Sequence, residues 1–226
     1  MLFCLKPDPL NRSNSRCSGI ELLGEEIMVI LSGAVEGDLD EVVLRRIVEY
    51  SGLELGAVYG RNGKPHLLNS LHGYNSAARF APWIVLVDMD RDCDCAPICR
   101  QQWLPDQAGS MCFRIVVRAL ETWLLADRQR VAEWLGVSVA QVPHNPDELI
   151  DPKRELVNLA RRSRLSRIRR DVVPSERSGR AVGQLYFARA SEFIHDRRTG
   201  WRPQEALRNS NSLERCVRRL RELANA

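Results

Sequence analysis

Four short apolar runs, each handing over to a segment with helical spacing, constrain this chain more than anything else in it. MVILSGAV at 28–35 leads into DLDEVVLRRIVEYSG, where Val42, Val43, Ile47 and Tyr50 recur on one helix face. LELGAVYG at 53–60 leads into 64–79, which reads as helical beyond Pro65. PWIVLVDMD is apolar until it meets aspartates and is followed by a short helical segment at 96–104; MCFRIVV then runs into RALETWLLADRQRVAEWLG. Strands that alternate with helices and carry little polar interruption belong in a parallel sheet covered on both faces, so the prediction is an α/β fold of the Rossmann-like kind, flanked by helices.

The 226 residues suffice for one such core with an appendage. Residues 1–27 show neither periodicity, carry a polar run at 11–18, and are expected to be a disordered tail; Met28, directly before the first strand, is a candidate native start. The α/β domain is expected over 28–136. Beyond Gly136, Pro143, Pro146 and Pro152 punctuate a loop, and PKRELVNLARRSR, 185–195 and 212–226 read as helices, so 137–226 is expected to be a mainly helical, basic extension packed on the sheet. The longest apolar stretches fall well short of the roughly 20 residues a membrane span needs. The start, MLFCLKPDPLNRS, breaks the apolar core of a signal peptide with Lys6, Pro7 and Pro9. Seven cysteines, an odd number, with nothing else pointing to an oxidising compartment, read as reduced thiols in a cytoplasmic protein.

Charge is divided along the chain. Residues 1–150 hold 14 Lys and Arg against 20 Asp and Glu, while 151–226 hold 19 against 9, net −6 followed by +10. An acidic part joined to an arginine-rich part suits carboxylates that hold cations beside a surface that holds polyanions, and it suits a solvated charged face equally well.

In parallel α/β sheets ligands bind beyond the carboxyl ends of the strands, and acids cluster there in this sequence. Strand one delivers Glu36 in VEGDLD, with Asp40 one helical turn onward; strand three delivers Asp88 and Asp90 in VDMDRD. If the strand runs through both aspartates, its period of two points them to the same side. Such repulsion is relieved by protonation or by a hard divalent cation, and Mg²⁺ favours a few carboxylates with water and substrate phosphates. Glu36 and Asp40 also suit a helix start, and 88–94 also suits a plain turn.

Strand–VEGxxD–helix followed by strand–VDMD resembles the Toprim domain, the Mg²⁺-dependent catalytic fold of topoisomerases, primases and the nuclease half of overcoming-lysogenisation-defect (OLD) proteins. The resemblance implies Glu36 as metal ligand or general acid/base and Asp88 and Asp90 as Mg²⁺ ligands. It also implies Asp40 and Glu121, in RALETWLLAD, as the further acids of the nuclease branch. The stretch 28–220 is similar to a family of small stand-alone Toprim-like proteins through VEG, NGK, VDMD, CAP, RALETWLLAD, DPK and a late SL. That likeness implies a setting beside an ATPase partner in bacterial defence.

Asn62–Gly63–Lys64 lacks the spacing and the Ser or Thr of a phosphate loop, yet Lys64 is placed to meet a substrate phosphate or solvent. Lys153, in DPK, is placed to neutralise a scissile phosphate or to pair with Asp151. Cys93, Cys95 and Cys99 match no common zinc spacing, and the four histidines form no metal or triad pattern. ARRSRLSRIRR carries Arg161, Arg162, Arg164, Arg167, Arg169 and Arg170 at helical spacings, a footprint for phosphate backbones or a solvated face. The expected activity is Mg²⁺-dependent, or Mn²⁺-dependent, hydrolysis of DNA or RNA. A non-catalytic or nucleic-acid-binding partner of an ATPase-containing complex is the competing class, and a small-molecule phosphotransferase a third.

Overall fold

The four apolar runs form one sheet in the computed structural model, which describes residues 29–225. The strands are β1 (Ile30–Val35), β2 (Glu54–Gly60), β3 (Trp83–Asp88) and β4 (Met111–Val116), all parallel and ordered β2-β1-β3-β4. The tail expected at 1–27 and the candidate start Met28 lie outside the described residues. Alternation within each strand sorts the core into two layers. Leu31, Val35, Ile84, Leu86, Cys112 and Val116 face one side; Ala34, Val85, Val87, Phe113 and Ile115 face the other.

Helix α1 (Asp38–Tyr50) covers the first side with Val43, Leu44, Ile47 and Val48; of the expected face Val43 and Ile47 are buried, while Val42 and Tyr50 are partly buried against the core. Helices α2 (Lys64–Ala77) and α3 (Ala96–Trp103) cover the second with Leu67, Leu71 and Cys99. The architecture is therefore α/β, a Rossmann/Toprim-like parallel sheet with helices on both faces. Gly60 makes the join between β2 and α2 possible: at φ 88° it turns so close to β1 that a Cβ would stand 2.2 Å from the Val35 carbonyl oxygen.

Seven further helices follow β4: α4 (Glu121–Leu125), α5 (Arg128–Leu135), α6 (Pro152–Arg161), α7 (Ser166–Val172), α8 (Tyr186–His195), α9 (Pro203–Ala206) and α10 (Asn211–Ala224). They extend the α1 layer into a continuous core that runs from Leu31 through Trp123 and Trp201 to Leu220. The RALETWLLADRQRVAEWLG segment is two helices. Asp127 breaks it, because its buried carboxylate caps α5 by accepting the Arg130 N–H and also receives Nε and Nη2 of Arg202 at 3.0 and 2.7 Å.

One expectation about cysteine is corrected. Cys93 and Cys99 are joined in a disulfide, their Cα atoms 5.6 Å apart, because the first turn of α3 folds Cys99 back over the loop before it. The thiols expected to be reduced are therefore Cys95, exposed, and Cys112 and Cys216, both buried, among the described residues. The pairing also uses two of the three side chains considered for zinc. No helix among the described residues is long and apolar enough to cross a membrane.

Candidate active site

Strand β1 lies between β2 and β3, so the chain leaves it in one direction over α1 and returns on its other side by way of α2. Crossovers that diverge in this way leave a crevice beyond the strand ends, the place where open α/β sheets bind ligands. Glu36 follows β1 directly and Asp88 closes β3, so the two acids meet at that crevice from positions 52 residues apart. Glu36 Oε1 accepts the Asp88 backbone N–H at 2.6 Å. The Glu36 carbonyl accepts the Gly63 N–H at 2.9 Å, which fixes the loop leading into α2.

Two more acids join from helix starts. Asp40 stands in the first turn of α1, half-buried; Glu121 opens α4 and is 1% exposed. Burial first, and then the negative charges of Glu36 and Glu121, push the Asp40 carboxyl up to about 7. Burial, and then Asp40, Glu121 and Glu36, hold the Asp88 carboxyl well above the usual carboxylate range. Glu36 is raised as well, its burial outweighing the Asp88 N–H and the charge of Lys64. Carboxyls raised by burial first and by neighbouring negative charge second hold their protons less firmly when a cation is near.

Two groups from the C-terminal helices partly balance them. Lys153, from the first turn of α6, brings Nζ to 3.5 Å from Glu121 Oε1, and the Glu121 charge holds its ammonium above the ordinary lysine value. Lys153 therefore faces the acid cluster and not Asp151. The Tyr186 hydroxyl, at the start of α8, donates to the same Oε1 at 2.8 Å; burial, then Glu121, pushes its phenol far up, so it stays a donor. Sequence reasoning missed Tyr186. Its partner is 65 residues away, and nothing around it in sequence marks it.

Two oxygens remain without a partner among the described residues: Asp88 Oδ1 and Glu121 Oε2 are both fully buried and accept no hydrogen bond. Orphaned carboxylate oxygens are costly, and a cation is the partner that suits them. Among the described residues no three His, Cys, Asp or Glu side chains stand close enough to enclose an ion. The orphaned oxygens of Asp88 and Glu121 are the donors a divalent cation would meet here, with Glu36 and Asp40 beside them.

Asp90 departs from its expected role. The strand ends at Asp88, and Asp90 adopts a left-handed φ of 48°, so period-two geometry does not carry it to the side of Asp88. Its carboxylate instead receives Lys64 Nζ at 2.5 Å, while Asp92 receives the same ammonium at 2.8 Å. Burial pulls the Lys64 pKa down, but these two hydrogen bonds outweigh it and leave it raised. Asp90 and Lys64 thus form a rim at the crevice. Arg118, also left-handed at φ 63°, clasps Asp90: Asp90 N–H donates to the Arg118 carbonyl at 2.7 Å, and Arg118 Nη1 donates to the Asp90 carbonyl at 2.9 Å. Two non-glycine residues held left-handed by each other mark a loop whose shape is over-determined, as functional loops often are.

The arginine run is not one helical stripe. Helix α6 ends at Arg161, the Ser163 hydroxyl accepts the Leu165 N–H at 2.9 Å, and α7 begins at Ser166. Arg161 bonds Asn158, Arg169 the Ser163 carbonyl and Arg170 the buried Asp171. None of the six lines the cavity of about 380 Å³ that opens beside Asp90 and Lys153.

Compared with known proteins, the chain matches no family model, no curated protein and no solved structure.

Proposed function

We propose that this protein is a Mg²⁺-dependent phosphodiesterase of the Toprim kind, acting on DNA or RNA. The observation that carries the reading is the pair of buried, unpartnered oxygens on Asp88 and Glu121, set beside acids raised chiefly by burial at the switch point of the sheet. A divalent ion bound there would supply an activated water and charge stabilisation at the scissile phosphate. The chain's own groups divide the remaining work. Asp88 and Glu121 would hold the ion's charge, and Tyr186 and Lys153 fix the Glu121 carboxylate in place. Glu36, raised and tied to the Asp88 N–H, is placed to take or return a proton. Lys153, half exposed at the cavity mouth, offers a cation to a phosphate oxygen.

Mixed DNA and RNA substrates incubated with Mg²⁺ or Mn²⁺ test this. Cutting by the intact protein is expected to fall by ~10²-fold or more in both Glu36→Gln and Asp88→Asn, the scale on which a site loses its electrostatic stabilisation. Cutting that survives in both variants overturns the assignment of the site. Absence of cutting by a correctly folded intact protein overturns the activity and leaves the competing class, a partner of an ATPase.

A further inference from the structure

A second cavity, of about 440 Å³, lies along β4, between α3 on one face of the sheet and α10 on the other. Strand β4 is one of the sheet's two outer strands, β2 being the other. Its even-numbered backbone groups face β3: the Ser110 carbonyl accepts from Trp83 and the Val116 carbonyl from Met89. By strict alternation the odd-numbered groups face outward. At the two ends these are already engaged, the Met111 carbonyl by Gln107 Nε2 at 2.7 Å and the Val117 N–H by the Ser212 hydroxyl at 3.3 Å. Between them the N–H and C=O of Phe113 and Ile115 meet no partner among the described residues, and both residues line the cavity.

A window two outward residues long, stopped at each end by a side chain, is too short for another strand to pair along. It presents donor, acceptor, donor, acceptor in one line, which matches the edge of a nucleobase. The surroundings supply the rest of a nucleotide site. Met89, Pro97 and the strand's own side chains give an apolar bed, and the volume lies in the range of small-molecule pockets. Arg100, Arg114, Arg118 and Arg215 line it from α3, β4, the loop after it and α10, with Arg100 Nε donating to Gln107 and Arg118 Nη1 to the Asp90 carbonyl. Arg114 Nε is buried without a partner. The lining also carries Asp94, Asp147 and Glu148, of which Asp147 is engaged by Ser210 and Ser212 and Glu148 by Asn145, so the four arginines outnumber the three acids. Arg118 also borders the cavity beside Asp90 and Lys153, so the two spaces adjoin.

We infer that this cavity binds a nucleotide, its base against the free edge of Phe113 and Ile115 and its phosphate against the arginines. The chemistry is shared by a free mononucleotide and by one unit of a single-stranded polynucleotide. The inference stands on the β4 edge and does not depend on the chemistry of the acid cluster.

The test is binding to the full chain in the presence of a chelator, with AMP, ribose 5-phosphate and a short single-stranded oligonucleotide as probes, read by calorimetry and by the backbone amide resonances of Phe113 and Ile115. AMP or the oligonucleotide is expected to bind, to shift both amides, and to bind at least about tenfold more weakly to Arg215→Glu and to Arg100→Glu, as loss of charge-assisted contacts requires. Binding of AMP assigns the site to free nucleotide, and binding of the oligonucleotide alone assigns it to a polymer unit. Equal binding of ribose 5-phosphate overturns the inference by reducing the cavity to an anion site, and so does binding that ignores both arginine variants or leaves both amides unmoved. With the chelator present no metal-dependent cleavage takes place, so binding is read apart from cutting and a failed nuclease and a failed nucleotide site are told apart.

Discussion

Asp40 carries more consequence than its exposed-looking motif suggests. Its carboxyl, raised to about 7 by burial and by Glu36 and Glu121, keeps a proton in the folded protein over a range where the unfolded chain, with a carboxyl near 3.8, has lost it. Folding is favoured by that proton below the unfolded value, and the contribution is lost as pH rises through about 7. The raised carboxyls of Asp88 and Glu36 act in the same sense. In the presence of a chelator, the melting temperature is therefore expected to fall as pH rises from about 4 to about 8, less steeply in Asp40→Asn. Millimolar Mg²⁺ is expected to restore stability at the upper end, where the charged acids have a cation to face. A profile that Asp40→Asn leaves unchanged removes Asp40 from the cluster. These residues differ in how far sequence exposed them. Glu36 and Asp88 were legible because each ends an apolar run, and such positions gather at one edge of a parallel sheet. Asp90 misled because the strand stops two residues before it, a boundary set by its left-handed turn against Arg118 and invisible in the apolar pattern. Tyr186 and the pairing of Lys153 with Glu121 depend on how α6 and α8 dock, which local sequence does not encode.

At the scale of elements, the apolar runs and their helices were readable because period two and period 3.6 are properties of the chain itself. Breaks imposed by tertiary partners were not. The division between α4 and α5 exists because Asp127 is 1% exposed, caps α5 and is gripped by Arg202 from 75 residues away. The split of the arginine run exists because Ser163 turns inward and its hydroxyl replaces a helical bond. Asp127→Ala removes a cap and a buried charge-assisted pair together, and a loss of about 3 kcal/mol is expected from chemical denaturation, with the slope unchanged. Asp127→Asn, which keeps an acceptor for the cap, is expected to lose less. A loss under about 1 kcal/mol in the alanine variant would assign the break to the backbone, outside the reach of Arg202.

Over the whole molecule, the division of charge that suggested a polyanion surface is partly spent on ion pairs within the chain. Lys153 meets Glu121, Arg202 meets Asp127 and Arg197 meets Glu49, each joining the basic second part to the acidic first. The arginines left at the β4 edge come from both parts, Arg100, Arg114 and Arg118 from the first and Arg215 from the second. The sheet domain and the helices after it accordingly share one interior. Helix α10 inserts Leu213, Val217, Leu220 and Leu223 into the layer that Leu31, Val43 and Val116 line. Burial of a large aliphatic side chain contributes about 1.5–3 kcal/mol, so these four together contribute on the order of 10 kcal/mol. That equals the entire stability of an ordinary domain, about 5–15 kcal/mol. A chain ending at Ser210 is therefore expected to show no cooperative unfolding transition by circular dichroism and to expose apolar surface to a hydrophobic dye. A sharp transition in that shortened chain would show that the α/β part closes its core alone, and that the last helix serves the cavity beside β4 more than the fold.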